Sequence, residues 1–402
     1  MHRFGLPCAA LAQVSLAIAC TGDGAQPTCD DALAAIADCL PAADAPTGVA
    51  HCTDRTFALY EAYQETGSCE ALLPGDKADG PMCAPDEEPC LVIFCCPVDD
   101  AEWVRKADLT SERTSLAAVA ASGKLWAIGG EGFNKTSAVS VYDPTTDKWT
   151  AGPSLPMAMS GVDAVAIGNV IHVVGGAVDL LDKPIERAFF LDTSKPSPKW
   201  QEGTELPLLK GVFGAATAAI NGDVIVAGGI DAFSFPTDQV LRYEPDEDDW
   251  STESALPAKL HRIAGAAADG RMYVFGGITF VPETIVGTVF EFDPKFGGWE
   301  EKAAMPTPRA GAVAVALHDK IVVLGGETKD GTKRKLVKTV DVYDPETDTW
   351  KTLTGLDMPT PRMDGGADAI GNKILVAGGS TGGGIGETDR LEVLTLPSAT
   401  VK

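Results

Sequence analysis

Short apolar stretches separated by turns rich in Gly, Asn and Asp occupy most of the chain after residue 100. The first stretch of each group is small and rich in Ala, as in LAAVA from Leu116. The second is β-branched and ends in a Gly-Gly pair, as in IVVLGG from Ile321. Turns such as Asn221-Gly222 separate the two, and pairs of this kind supply the positive φ that a two-residue hairpin needs. The pattern predicts short antiparallel strands and an all-β fold.

This group of strands recurs six times at intervals of about 50 residues, which is typical of a repeat architecture. The Gly-Gly pairs are Gly129-Gly130, Gly175-Gly176, Gly228-Gly229, Gly276-Gly277, Gly325-Gly326 and Gly378-Gly379. A Trp precedes each pair at a nearly constant distance, at Trp103, Trp149, Trp200, Trp250, Trp299 and Trp350. Each copy therefore predicts one four-stranded sheet. Because a single sheet cannot bury both of its faces, the six sheets must stack and close into a ring.

The combination of a Gly-Gly pair, a third strand such as VDVYDP from Val340 and a following Trp resembles the kelch repeat of β-propellers. The resemblance covers about residues 101–402 and implies an all-β, six-bladed kelch β-propeller. The second copy departs from the pattern, with Leu191-Asp192-Thr193 in place of Tyr-Asp-Pro. The last copy ends in RLEVLTL without a Trp, so we expect the strand around Trp103 to complete it. An N-terminal outer strand would thus close the ring.

The first 19 residues predict a secretory signal, because Arg3 is followed by an apolar stretch too short to span a membrane. Ala17-Ile18-Ala19 before Cys20 fits an ordinary cleavage site. It also resembles the signal of bacterial lipoproteins, which implies lipid attachment at Cys20. Either interpretation predicts export from the cytoplasm, and the lipoprotein resemblance implies the bacterial cell envelope. The lipoprotein interpretation adds a membrane anchor.

Residues 20–100 predict a small helical module stapled by disulfides. All 10 Cys residues precede residue 97, and none lies in the repeats. Loss of Cys8 with the signal and lipidation of Cys20 leave an even set that can pair fully. The set is Cys29, Cys39, Cys52, Cys69, Cys83, Cys90, Cys95 and Cys96. Dense Cys beside an export signal favours disulfides over zinc, for which the spacing lacks paired C-x-x-C units. Their pairing and the role of the module, spacer or partner-binding, stay open.

The net charge is −25, from 57 acidic and 32 basic residues, without a basic stripe. Such a chain repels phosphate backbones, so nucleic acid is excluded as a partner. The acidic run from Asp246 to Asp249 lacks the spacing of a calcium loop. It is predicted to be a solvated turn rather than a metal site. No metal or other cofactor is predicted.

Four links between consecutive copies carry Arg, at Arg113, Arg262, Arg309 and Arg362. If these side chains face the central channel, they form a cationic ring suited to an acidic glycan, a carboxylate or an acidic peptide. His261 and Asp364 would share this mouth. The alternative is structural, with each Arg bonded to loop carbonyls or to a nearby acid.

Three functions are compatible with this sequence. The first, which we favour, is a non-catalytic propeller that binds a protein or acidic glycan at the channel mouth. The second is a sugar-acid epimerase or mutarotase resembling the periplasmic kelch enzymes that act on sialic acid, with His261 and Asp364 as acid–base candidates. The third is a passive envelope or adhesion component. A copper oxidase resembling galactose oxidase is excluded, because it needs a Cys crosslinked to Tyr in the propeller.

Overall fold

The structure of the chain is a computed structural model that describes residues 101–178, 184–207, 212–231, 233–382 and 386–397. All regular secondary structure in these ranges is β-strand. No helix suited to crossing a membrane occurs in them. The predicted signal, Cys20 and the Cys-rich module lie outside the described residues.

The strands form six antiparallel sheets, the blades, which confirms the predicted six-bladed propeller. Blade 1 comprises β2 (Ala117–Ala121), β3 (Lys124–Ile128), β4 (Val139–Asp143) and β5 (Lys148–Ala151). Blade 2 comprises β6 (Asp163–Ile167), β7 (Val170–Val174), β8 (Ala188–Asp192) and β9 (Gln201–Glu202). Blade 3 comprises β10 (Ala216–Ile220), β11 (Asp223–Ala227), β12 (Val240–Glu244) and β13 (Asp249–Thr252).

Two of the remaining blades carry an extra hairpin. Blade 4 comprises β14 (Ala264–Ala268), β15 (Arg271–Phe275), β18 (Val289–Asp293) and β19 (Gly298–Lys302), with the hairpin β16 (Ile278–Phe280) and β17 (Glu283–Ile285). Blade 5 comprises β20 (Ala310–Leu317), β21 (Lys320–Asp330), β23 (Val340–Asp344) and β24 (Thr349–Thr352), and β22 (Lys333–Leu336) pairs with the extended end of β21. Blade 6 comprises β25 (Gly366–Ile370), β26 (Lys373–Ala377) and β27 (Leu391–Thr395).

The ring is closed by β1 (Glu102–Arg105), which pairs with β27 and is the outer strand of blade 6. Trp103 lies opposite Leu394 in this ladder. The prediction that the segment around Trp103 completes the last blade is therefore confirmed.

Apolar packing between neighbouring blades forms the core. The innermost strands contact one another around the channel, where Ala and Gly allow close approach. Each of the six Trp residues that precede a Gly-Gly pair donates its indole N–H to a carbonyl in the link at the start of its own blade. For example, Trp149 Nε1 donates to the Ala107 carbonyl at 2.7 Å and Trp350 Nε1 to the Ala303 carbonyl at 2.8 Å. Each indole thus buries apolar surface while its N–H is satisfied.

The antiparallel order gives the propeller two distinct ends. One end, the turn face, carries the hairpins between the first and second strands of every blade and between the third and fourth strands of blades 1 to 5. The other end, the loop face, carries the loops that follow the Gly-Gly pairs and the links between blades. The predicted binding residues all lie on the links of the loop face.

Candidate functional site at the channel mouth

Three of the four arginines lie inside the blades rather than around the channel. Arg113, Arg309 and Arg362 are each at most 2% exposed. Arg113 donates to the carbonyls of Gly129 at 3.0 Å and Ala138 at 3.1 Å, and to Ser140 Oγ at 2.8 Å. Burial lowers the pKa of its guanidinium to about 10. The predicted cationic ring of four arginines is therefore not present, because these side chains order their own loops.

The other two buried arginines have carboxylate partners. Arg309 contacts Asp341 and the carbonyl of Thr339 at 3.1 Å. Arg362 donates to Glu392 Oε2 at 2.5 Å and to the carbonyl of Val376 at 2.9 Å. All four ionised side chains are at most 3% exposed. Buried pairs of this kind are costly to break, because loss of one partner leaves an uncompensated charge.

Arg262 differs, because it stands two residues further along its link. Its structural equivalents are the residues with left-handed backbone where each innermost strand begins. They are Ser115, Gly161, Gly214, Arg262, Gly311 and Asp364, with φ between 51° and 62°. Backbone hydrogen bonds of 2.7 to 2.9 Å join these residues across five of the six junctions between blades. We call this set the inner ring, and it surrounds the mouth of the channel on the loop face.

An ion network crosses the inner ring. Arg262 is bidentate on Asp364, with Nε–Oδ1 at 3.1 Å and Nη2–Oδ2 at 2.6 Å. Its Nη1 donates to Glu327 Oε1 at 2.5 Å. Burial raises the pKa of Asp364, and Arg262 opposes this shift. The predicted site residues Arg262 and Asp364 are thus brought together, but as partners of one another.

Gly311 makes this ion pair possible. It lies in the inner ring between Arg262 and Asp364, with φ of 62°. A Cβ at this position would meet the Asp364 carboxylate and would lie 2.8 Å from Arg262 Nη2. Any other residue would therefore displace the pair as well as strain the backbone.

His261 lies beside Arg262 and pairs by backbone with Ile278. Burial, followed by the charge of Arg262, lowers the pKa of its imidazole to about 4, so the ring is neutral at neutral pH. Its Nδ1 is buried without a hydrogen-bond partner among the described residues. No hydrogen bond joins His261 to Asp364 in this part of the chain, so the two do not form an acid–base pair.

A second polar cluster at the mouth involves residues that the sequence did not single out. Lys135 Nζ lies 3.0 Å from Glu131 Oε2 and 2.6 Å from Ser160 Oγ. Glu131 and Glu327 occupy the same position, directly after the Gly-Gly pair of their blades. That repeated position is the signal that would have identified them.

Exposed aromatic and aliphatic side chains project from the loop face. Six of the seven large hydrophobic residues exposed in the described part of the chain lie on the segments that follow the Gly-Gly pairs of blades 1 to 4, which are loops in blades 1 to 3 and the β16–β17 hairpin in blade 4. They are Phe133, Val178, Phe233, Phe235, Phe280 and Val281, and we call them the apolar crown. Phe235 and Phe280, from neighbouring blades, form an edge-to-face contact with ring centroids 5.6 Å apart. Loop aromatics between polar residues, as in EGFNK, were the available sequence signal.

The acidic run from Asp246 to Asp249 makes structural contacts through Asp248. Asp248 Oδ1 accepts hydrogen bonds from Tyr243 Oη at 2.6 Å and from the Thr204 amide at 2.9 Å. No group of three or more His, Cys, Asp or Glu suited to a metal ion occurs within the described ranges.

Comparison with known proteins agrees with this architecture. The family model described as the Attractin/LZTR1 β-propeller matches residues 125–387. Kelch-like protein 25 of Xenopus tropicalis is 29% identical over 260 residues, covering 63% of this chain and 43% of that protein. Kelch-like protein 25 of Homo sapiens is 29% identical over 261 residues, with the same shares. Kelch-like protein terF of Aspergillus terreus is 25% identical over 263 residues, covering 62% of this chain and 56% of that protein.

The chain spans about half the length of the curated relatives it matches or less. The family match covers well over half of the chain and includes strands from all six blades. The chain therefore belongs to the Attractin/LZTR1 β-propeller family of kelch-like propellers.

Proposed function

We propose that this protein is a non-catalytic interaction propeller that binds a protein partner through its loop face. The apolar crown is the observation that carries the proposal. Exposed apolar side chains gathered on one face of a soluble propeller mark an interaction surface, whereas scattered ones need no explanation. Aromatic residues also supply much of the binding energy at protein interfaces. Phe133 is fully exposed, and Phe233 is 66% exposed.

The inner ring and its ion network support this proposal by giving the crown a rigid base. The loops that carry the crown begin at Gly-Gly pairs whose amides bond to the neighbouring link, as Gly229 N does to the Leu260 carbonyl at 2.8 Å. A base that is already ordered reduces the entropy lost on binding.

An acidic glycan is a weaker ligand for this surface than a protein. The arginines expected to bind its carboxylates are buried, as Arg113 is, or paired with acids, as Arg262 is. The epimerase alternative has the same weakness and also lacks an acid–base pair in His261 and Asp364. We therefore retain the protein-binding function alone.

We further propose that the protein acts outside the cytoplasm of a bacterium, anchored by lipid at Cys20. The support is the sequence of residues 1–20 and the confinement of all 10 Cys to the first 96 residues. An exported, anchored chain would present the propeller to partners of the cell envelope.

A capture experiment with the full chain tests the binding function. Wild type and the variant Phe133→Ser/Phe280→Ser would be immobilised, and proteins retained from the native envelope extract would be quantified by mass spectrometry. We expect a small set of proteins to be lost with the variant. The leading protein, once purified, should bind wild type with a Kd at least tenfold lower than it binds the variant, about 1.4 kcal/mol.

The control carries a matched change on the turn face. Phe296 is 85% exposed in the turn between β18 and β19, so Phe296→Ser removes a comparable apolar surface from the opposite end. This control should retain the partner. Equal binding by wild type and the crown variant would refute the proposed surface.

A further inference from the structure

A cleft on the loop face lies between blade 5 and the link that leads into blade 6. Its volume is about 640 Å³. One wall is the chain from Lys335 to Thr339, and the other includes Pro359, Thr360 and Pro361. The lining contains two lysines and several threonines but no acidic residue. On a chain with a net charge of −25, an acid-free cleft is a local exception.

The β21–β22 hairpin beside the cleft is strongly basic. Residues 329–338 carry Lys329, Lys333, Arg334, Lys335 and Lys338 against the single acid Asp330. Lys329 and Arg334 are held by Glu283 of the neighbouring β16–β17 hairpin, at 3.2 Å and 2.6 Å. Lys338 pairs with Asp357 at 2.7 Å. These contacts fix the hairpin against its neighbours.

Two lysines of the hairpin have no such partner. Lys333 and Lys335 are exposed, and neither forms an ion pair with any described residue. They alternate with Arg334 along β22, so both point to the same side of the strand. Two ammonium groups on one side of a strand favour a ligand that also presents carboxylates at alternate positions.

The backbone of β22 is also available. Among the described strands it pairs only with β21, which leaves its other edge without a ladder. The opposite wall of the cleft cannot complete the ladder around Pro359 and Pro361, because proline has no N–H to donate. A free edge of this kind accepts an extended peptide as an added strand.

We propose that this cleft binds an extended acidic segment of the protein partner, which adds as a strand to the free edge of β22. The inference rests on the proposed function, because it names the chemistry of the partner for the same face. Carboxylates of the segment would meet Lys333 and Lys335, and the hydroxyls of Thr307 and Thr328 would donate to its remaining acceptors. Apolar residues elsewhere on the partner would contact the crown.

The test uses the full chain and a labelled peptide in which Glu and Thr alternate, with a Gln–Thr peptide as its neutral counterpart. Fluorescence anisotropy would measure binding at low and high salt. We expect wild type to bind the acidic peptide and Lys333→Gln/Lys335→Gln to bind it about tenfold more weakly, since each exposed pair contributes up to about 0.7 kcal/mol. Binding should weaken with salt.

A matched control removes two charges from the turn face. Lys148→Gln/Lys295→Gln changes two exposed lysines near the third turns of blades 1 and 4. It should bind the acidic peptide as wild type does. Hydrogen exchange should slow at the amides of Lys333–Leu336 when the peptide is added. Equal weakening in both double variants, or binding without slowed exchange, would overturn the proposed strand addition.

Two further outcomes separate this inference from the proposed function. If the hairpin lysine variant captures the partner normally while Phe133→Ser/Phe280→Ser does not, the acidic segment is refuted and the binding face stands. If wild type binds phosphatidylserine vesicles through Lys333 and Lys335 but not the acidic peptide, the basic hairpin recognises an anionic membrane and the proposed partner is wrong.

Discussion

A residue-level match inside each blade explains where the arginines lie. The residue that begins each blade, two positions before the inner ring, faces a residue of the third strand. Arg113, Arg309 and Arg362 face Ser140, Asp341 and Glu392. In blades 2, 3 and 4 the starting residues are Met159, Val212 and Leu260, and the corresponding third-strand residues are Phe189, Leu241 and Phe290. A polar starting residue is therefore paired with a polar residue of the third strand, and an apolar starting residue with an apolar one.

This match predicts the outcome of a double-mutant cycle at Arg309 and Asp341. Arg309→Leu should lower the free energy of unfolding by about 3 to 5 kcal/mol, because it leaves the Asp341 carboxylate buried without a counter-charge. Arg309→Leu/Asp341→Leu should recover most of that loss, since blades 2 to 4 already use apolar pairs. Denaturant unfolding of the three variants measures the coupling.

The cost at Arg113 should be smaller. Arg113→Leu leaves only the Ser140 hydroxyl and the Gly129 carbonyl without the donor they have now, since the Ala138 carbonyl still accepts the Gly129 amide, and this costs about 1 to 3 kcal/mol. A double variant at Arg309 and Asp341 that is no more stable than Arg309→Leu alone would contradict the match.

Asp163 is a second residue with a measurable consequence. It lines the channel, a cavity of about 140 Å³ walled mainly by Ala and Gly. Its Oδ2 and the nearby Thr217 Oγ1 are buried without a hydrogen-bond partner within the described residues. Burial raises the pKa of Asp163 to about 7 from its ordinary value of 3.8.

The sign of the pH effect follows from proton binding. Between pH 4 and 7 the folded state retains this proton while the unfolded state has lost it, so the free energy of unfolding falls as pH rises. Asparagine does not ionise, so the free energy of unfolding of Asp163→Asn should not fall in this pH range. We expect the variant to exceed wild type by about 1 to 3 kcal/mol at pH 8 and to differ little at pH 4. Thermal unfolding at both pH values, with a change at the exposed Asp246, Asp246→Asn, as control, checks this; a difference independent of pH would contradict it.

At the scale of the element, an Asp five residues after the third-strand Tyr binds the turn between the third and fourth strands of blades 1, 3 and 5 to the link that leads into the same blade. Asp147, Asp248 and Asp348 have φ between 49° and 52° and accept the hydroxyls of Tyr142, Tyr243 and Tyr343. Each also accepts a backbone amide from the link at the start of its own blade, as Asp348 does from Ala303 at 2.8 Å. Blade 4 has Gly297 in this turn instead.

Removal of one such contact should lower the stability of the protein without unfolding it. Asp248→Ala leaves the Tyr243 hydroxyl and the Thr204 amide without an acceptor and should cost about 1 to 3 kcal/mol. The amide of Thr204 lowers the pKa of Asp248, so this stabilisation is present at neutral pH and is lost as pH falls through the lowered pKa. The difference in Tm between wild type and Asp248→Ala should therefore shrink in acid. A constant difference down to pH 2 would assign the effect to backbone conformation instead.

The strands could be predicted because the same residue pattern recurs in every blade. The loops between them differ in sequence and length, so no repeat predicts their conformation. The regular spacing of the Gly-Gly pairs and the Trp residues predicted the positions of the blades and the closure of the ring at Trp103. The arginines were placed in one ring because each stands in a link, yet Arg262 is two residues beyond the position of Arg309. That offset moves a side chain from the blade interior to the channel mouth. Gly311, and not Arg309, is the residue of blade 5 that is equivalent to Arg262. Aligning the two links on Gly311 and Arg262 would have predicted the offset. The crown lies on loops of unequal length, for which no repeat fixes the conformation.

At the scale of the whole molecule, closure by two distant segments makes the propeller one cooperative unit. β1 and β27 are separated by almost the entire propeller sequence, and Trp103 Nε1 donates to the Leu356 carbonyl at 2.9 Å. A chain ending after Arg390 would leave blade 6 with two strands and expose apolar residues of β26 such as Ile374 and Val376. We expect it to lose cooperative thermal unfolding, whereas Trp200→Ala, which removes one indole within a blade, should lower Tm but keep a single transition. A sharp transition in the truncated chain would contradict this role of closure.

The proposed anchor makes a prediction about thiols as well as lipid. If Cys20 is acylated, the eight Cys after it can all pair, and the exported protein should have no thiol that reacts with an alkylating reagent after denaturation. If Cys20 is not acylated, nine Cys follow the signal and one thiol must remain, because an odd number cannot pair within one chain. Radiolabelled palmitate should therefore enter wild type but not Cys20→Ala. An exported wild type with one reactive thiol and no label would refute the anchor while leaving export intact, because parity depends on the fate of Cys20 and not on the compartment.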